Sequence, residues 1–132
     1  MLDYLAKVVP HFNSQLGIIK AGAPEEFMPF IMSLNPIIVG EPDKGILCGI
    51  VSPNIFNPKE VITATELLWW VEPQYRATRF SINLVKQFEA EAKARGATHI
   101  LMMAIERSND MARRVYPKLG YEFIETTYIK EI

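Results

Sequence analysis

Residues 60–105 read EVITATELLWWVEPQYRATRFSINLVKQFEAEAKARGATHILMMAI, and this stretch decides the fold. Its first part, about Glu60 to Val71, is a β-branched and apolar run that predicts a strand. From Tyr75 to Arg95 the period changes. Phe80, Leu84, Phe88 and Ala92 fall on one helical face, with Lys86, Glu89 and Lys93 around it. Gly96 is the expected helix stop. A buried strand follows from Thr98 to Ile105. Strand, helix and strand in succession predict a crossover between parallel neighbours.

Upstream, Ile37–Gly40 and Ile46–Val51 flank Glu41-Pro42-Asp43-Lys44-Gly45, whose residue types suit a tight turn, so a β-hairpin is expected. A loop rich in Pro and Asn, Ser52 to Pro58, leads from it into the strand of the opening stretch. Two helices precede the hairpin. Leu2, Leu5, Val8, Val9 and Phe12 give an amphipathic segment from Met1 to about His11. Pro24, followed by Glu25 and Glu26, opens a second helix with Phe27, Phe30, Ile31 and Leu34 on its apolar side, closed by Asn35-Pro36. Downstream, Ser108 or Asn109 is expected to cap a short helix carrying Met111, Val115 and Leu119, stopped by Gly120. A last strand is expected from Tyr121 to Ile129. The order α-α-β-β-β-α-β-α-β describes one α/β domain over residues 1–132, with a mixed sheet.

The chain of 132 residues has room for one domain, and its 49% apolar and 22% charged composition is globular. Fourteen basic against 15 acidic residues leave a net charge of -1, which argues against a nucleic-acid partner. The longest apolar stretches, Leu67–Val71 and Ile100–Ile105, fall well short of a membrane span. Asp3 and Lys7 interrupt the early apolar pattern, so no signal peptide is expected. The single Cys48 excludes an internal disulfide. A soluble cytoplasmic domain is the expectation from these features.

Most catalytic chemistries lack their residues. There is no CxxC or HExxH, His11 and His99 are far apart, and no metal site is expected. Cys48 sits in the apolar run Ile46–Ile50, where a thiol behaves as a small hydrophobe. No GxSxG elbow or Walker-type loop occurs. Three features remain. Strand alternation puts Glu66 on one face with Ala64, Leu68 and Trp70, where desolvation would raise its pKa into the range of a general base. Alternatively, Glu66 is an edge-strand acid reaching solvent. The turn Pro73–Ser81 leads into a helix N-terminus, a natural anion site with Arg76, Thr78, Arg79 and Ser81 as added donors, although most such turns bind nothing. The segment Asn109–Tyr121 reads as a capped amphipathic helix, in which Tyr116 suits a core position with its hydroxyl at the edge.

Taken together, these segments resemble the GNAT superfamily of N-acetyltransferases over roughly residues 37–132. Val71-Glu72-Pro73-Gln74-Tyr75-Arg76 matches the start of the pattern V-x-P-x-Y-R-G-x-G-x-G in register. Asn109, Ala112, Tyr116, Lys118, Gly120 and, conservatively, Tyr121 match N-x-x-A-x-x-x-Y-x-K-x-G-F. The three loop glycines of the first pattern stand here as Ala77, Arg79 and Ser81, and the family's usual first strand is not evident.

The resemblance implies a splayed mixed β-sheet flanked by helices, opening between the strands Glu60–Val71 and Thr98–Ile105. It implies acetyl-CoA as cosubstrate, with Trp69 to Val71 along the pantetheine arm. The pyrophosphate would lie on Arg76, Ala77, Thr78, Arg79, Phe80 and Ser81, and Asn109 would help place the coenzyme. Glu66 would be the base and Tyr116 the acid toward the sulfur in acetyl transfer to a primary amine. The partner so implied is a small-molecule or peptide amine, with a homodimer left open as the assembly. The lost glycines and the aromatics Trp69 and Trp70 motivate a rival reading, an inactive domain of this fold that binds a protein partner.

Overall fold

The computed structural model describes residues 1–16, 19–103, 111–125 and 127–132. Its elements are α1 (Leu2–Leu16), α2 (Pro24–Ser33), β1 (Ile37–Glu41), β2 (Gly45–Pro53), β3 (Ile62–Val71), α3 (Arg79–Ala94), β4 (His99–Leu101) and α4 (Met111–Lys118). A short 3-10 turn, Pro73–Tyr75, lies between β3 and α3. The sheet runs β1-β2-β3-β4, antiparallel across the first two junctions and parallel between β3 and β4. It is a mixed sheet with helices on both faces, as the sequence predicts.

Each face carries its own core. Beneath α3, Leu84, Val85, Phe88 and Ala92 pack on Ile37, Leu47, Ala64 and Val71. Beneath α1, Tyr4, Leu5 and Val8 pack on Ile46, Cys48 and Leu68. Gly49 lets the helix approach: a Cβ there would lie 2.6 Å from the Phe88 ring and 2.5 Å from the Thr65 carbonyl oxygen. Cys48 is fully buried, and desolvation pushes its thiol up to about 11, so it packs as a hydrophobe.

One face assignment needs correction. Cys48 pairs with Leu68 but Gly49 pairs with Glu66, so Leu67 is the extra residue of a β-bulge. The bulge resets the alternation. Ala64, Trp69 and Val71 join the α3 core, whereas Leu68 and Trp70 join the α1 core. Strict alternation puts Ala64, Leu68 and Trp70 on one face with Glu66, and the bulge separates Ala64 from the other two apolar residues.

Several boundaries also differ. Helix α1 continues past His11 because Phe12 extends its apolar face onto the α1 core. Helix α3 starts at Arg79, not Tyr75, because Ala77 adopts φ +58°, which no helix can contain, and Thr78 then caps the helix. Strand β4 ends at Leu101, and residues 104–105 of the expected strand lie outside the described residues, as do Ser108 and Asn109. The described residues of the expected last strand, Tyr121 to Ile129, form no strand. Instead the Tyr121 N–H bonds back to the Tyr116 carbonyl, completing the α4 terminus after Gly120 at φ +87°.

Candidate active site

Among the described residues, parallel pairing holds β3 to β4 at Thr63–His99, Ala64–Ile100 and Thr65–Leu101. Beyond Thr65, β3 continues through Glu66–Val71 paired to β2 on one side, with no partner on the other among the described residues. Glu66 stands where the two strands part. It is 3% exposed, and its Oε2 accepts the Met103 N–H at 2.8 Å. The Tyr116 hydroxyl donates to the Met103 carbonyl, also at 2.8 Å. The backbone of Met103 is thus held from β3 through its N–H and from α4 through its carbonyl.

The electrostatics follow from this burial. Desolvation pushes the Glu66 carboxyl up to about 7, against the opposing pull of the Met103 N–H and of the nearby Tyr116 hydroxyl. Tyr116 is raised well above its usual value, first by burial and then by the Glu66 and Tyr121 charges. Its ring packs against Trp69 at 5.9 Å and Tyr121 at 5.6 Å between centroids. The Trp69 Nε1 is a buried donor without a partner among the described residues.

The turn after β3 divides its donors between internal and outward use. The Arg76 Nε donates to the Val71 carbonyl at 2.8 Å, and its guanidinium lies 5.2 Å over the Trp70 ring. Its N–H bonds to the Pro73 carbonyl, so Arg76 braces the end of the strand. Thr78 donates its hydroxyl to Tyr75 O and accepts the Phe80 N–H, while buried Ser81 also turns its hydroxyl to Tyr75 O. Phe80 packs on Tyr75 and the α3 core. That leaves the N–H groups of Ala77, Thr78 and Arg79 without an acceptor among the described residues, with the Arg79 side chain exposed beside them. The left-handed Ala77 is the conformation a glycine would take there, so the turn keeps its shape after losing that residue type.

Glu66, Tyr116 and Trp69 therefore meet at the opening, and Val71 lies farther along the same strand. Ala77, Thr78 and Arg79 line the helix start, and Asn109 lies outside the described residues. Sequence reasoning missed the Met103 peptide, which no side-chain motif announces. It also missed the bulge, signalled by the unbroken apolar run Leu67-Leu68-Trp69-Trp70-Val71. On the other face, Glu72 accepts from Tyr4 at 2.9 Å and from Trp70 Nε1 at 3.1 Å, tying α1 to the end of β3. Among the described residues, no group of three or more His, Cys, Asp or Glu is placed to hold a metal ion, and no helix is long and apolar enough to cross a membrane.

A sheet that parts beside a buried carboxyl, followed by an N–H-rich turn, is the architecture the sequence motifs imply. A sequence model of the acetyltransferase (GNAT) family matches residues 20–121, and the chain belongs to that family. No curated protein sequence matches the chain. Among solved structures it resembles a ribosomal-protein-alanine N-acetyltransferase from Brucella melitensis biovar Abortus at 10% identity, covering 99% of this chain and 93% of the other, with TM-score 0.69. A glucosamine-6-phosphate N-acetyltransferase from Arabidopsis thaliana aligns at 12% identity over 99% and 93% of the chains, with TM-score 0.67. An aminoglycoside acetyltransferase from an uncultured soil metagenomic sample aligns at 13% identity over 99% and 90%, with TM-score 0.73. At these identities the likeness is one of fold.

Proposed function

We propose that this protein moves an acetyl group from acetyl-CoA to a primary amine by direct attack. The observation that carries the reading is the buried Glu66 at the parting of β3 and β4, which bonds the Met103 N–H while Tyr116 bonds the Met103 carbonyl. The thioester lies in the opening, with its pantetheine arm along β3 at Trp69 and Val71, where the edge has no partner among the described residues. The pyrophosphate takes the outward N–H groups of Ala77, Thr78 and Arg79 together with the Arg79 guanidinium. Asn109, carried over from the family pattern, helps place the coenzyme.

Glu66, directly or through a water, takes the proton from the amine as the nitrogen attacks the carbonyl carbon. A backbone N–H near Val71 stabilises the oxyanion. Collapse of the tetrahedral intermediate breaks the C–S bond, and Tyr116 protonates the departing thiolate. The two groups are coupled in a useful direction. The Glu66 charge is one cause of the raised Tyr116 pKa. Once Glu66 has accepted the amine proton that cause disappears, and Tyr116 becomes the stronger acid at the step that needs one.

Calorimetric titration with acetyl-CoA, followed by thiol detection over an amine panel, tests the reading. Alanine-bearing ribosomal-protein peptides, glucosamine-6-phosphate and aminoglycosides belong in the panel, because the names of proteins of this fold carry these acceptors. Binding followed by amine-dependent thiol release is expected. Absence of acetyl-CoA binding sinks the proposal and favours a protein-binding role.

A further inference from the structure

Two buried side-chain polar atoms lack a hydrogen-bond partner among the described residues, the Trp69 Nε1 and the Tyr121 hydroxyl. Both belong to one aromatic cluster, because the Trp69 and Tyr121 rings each pack against Tyr116. The two atoms are not equivalent. A hydroxyl rotates to suit a neighbour, and Tyr121 has one: burial raises its pKa first, and the nearby Glu89 charge raises it next. The Trp69 N–H is a donor only, fixed in the plane of its ring. Burying such a donor without an acceptor is costly, so its partner has to be sought. The next residue gives the contrast. Trp70 lies on the opposite face of the sheet and donates its Nε1 to Glu72 at 3.1 Å. One indole is satisfied by the fold and the other is held open.

We propose that the Trp69 indole N–H is a binding donor for the cosubstrate, kept for an amide carbonyl oxygen of the pantetheine arm. This contact rests on the reading that acetyl-CoA lies in the opening, and it adds a side-chain donor to the backbone groups of β3. Trp69 belongs to the stretch of β3 that has no partner toward β4 among the described residues. Its ring packs on Tyr116, whose hydroxyl bonds the Met103 carbonyl where the two strands part. A strand rises roughly 3.3 Å per residue, which sets Trp69 on the order of 7–10 Å beyond Glu66 once the bulge is allowed for. The amide carbonyls of the arm are strung out beyond the sulfur over a comparable span. With the thioester at Glu66, an amide of the arm is therefore the acceptor in step with the indole.

The chain has 2 tryptophans, so its nitrogen-labelled form gives two indole N–H signals in a proton–nitrogen correlation spectrum, and Trp70 is the internal control. Trp69→Phe assigns them. In the free protein the Trp69 N–H should exchange with solvent faster than that of Trp70. Saturation with CoA or with acetyl-CoA should move the Trp69 signal downfield and slow its exchange. The nucleotide half of CoA (adenosine with its pyrophosphate and ribose phosphate) should leave that signal in place. By calorimetry, Trp69→Phe should bind CoA roughly five- to tenfold more weakly than the parent and the nucleotide half equally well. A Trp69 signal that stays put while calorimetry shows CoA bound overturns the proposal and leaves acetyl transfer standing. A signal that answers acetyl-CoA alone overturns it too, because the acceptor is then the thioester. So does a Trp69 N–H already as protected as Trp70 in the free protein, since the chain itself then supplies the acceptor. Failure of both CoA and acetyl-CoA to bind overturns the contact together with the reading beneath it.

Discussion

Glu66 is pulled in two directions. Burial favours its neutral form, while the Met103 N–H favours the anion, and burial wins to leave the carboxyl at about 7. A base of that strength is half ionised near neutrality, so turnover should rise as pH climbs through about 7 and then level off. Glu66→Gln should lose that rise and roughly a hundredfold or more of turnover while keeping acetyl-CoA affinity; an unchanged pH–rate profile in the variant removes Glu66 from the mechanism. Stability carries the opposite sign. Between the ordinary 4.5 and about 7 the native state binds the proton that the unfolded chain has released, so native stability falls as pH rises through this window. The melting temperature of the parent should therefore drop between pH 5 and 8 more than that of Glu66→Gln. Tyr116→Phe should slow turnover and cost about 1 kcal/mol through the lost bond to Met103 O; loss of stability alone would make Tyr116 structural. The burial of Glu66 was legible from its apolar neighbours. Its face was not, because the bulge at Leu67 depends on the register against Gly49 across the sheet, which local alternation does not encode.

At the scale of elements, the turn between β3 and α3 departs most from its family pattern and still keeps its shape. Ala77 holds a left-handed conformation that costs a non-glycine residue roughly 1–2 kcal/mol. Ala77→Gly should relieve part of this and stabilise the protein by about 1 kcal/mol, with acetyl-CoA affinity unchanged or higher; thermal unfolding reads the first and calorimetry the second. Arg79 presents a sharper conflict, because a cation in the first turn of α3 opposes the helix dipole. Without an anion, Arg79→Ala should stabilise the free protein by a few tenths of a kcal/mol, on the order of 0.3–1. It should also weaken acetyl-CoA binding roughly ten- to a hundredfold, and less so as salt rises. Tighter binding in Arg79→Gly would mean that Arg79 merely obstructs the turn. The body of α3 was legible because Phe80, Leu84, Phe88 and Ala92 keep helical spacing. Its start was not, since Tyr75 and Arg76 also suit a helix and only the positive φ of Ala77 rules one out. The strand expected at Tyr121–Ile129 rested on residue type alone, and strand propensity makes no ladder by itself: the described residues of this segment pair with no strand of the sheet.

Across the whole molecule, rigidity is unevenly distributed, and this sets what cosubstrate binding should do. The β1–β2 hairpin and its junction with β3 are paired along their length and buried between two cores, whereas among the described residues the β3–β4 ladder runs from Thr63 to Thr65. Amides in the first region should exchange slowly in the free protein, because opening them disrupts both cores. Those on the open side of Glu66–Val71, and those of Ala77, Thr78 and Arg79, have no acceptor among the described residues to protect them. A cosubstrate lying in the opening supplies acceptors to both groups together. At a hundredfold excess over Kd it also adds about 2.7 kcal/mol to global stability, which for a domain of this size raises the melting temperature by on the order of 10 °C. Hydrogen exchange with and without acetyl-CoA should therefore show new protection concentrated in Glu66–Val71 and Ala77–Arg79, exceeding the uniform slowing that global stabilisation gives to β1 and β2. Arg79→Ala, measured at equal saturation, should keep the protection along β3 and lose part of it at the turn. Protection that rises uniformly, or that appears without any change in β3, would place the cosubstrate outside the opening.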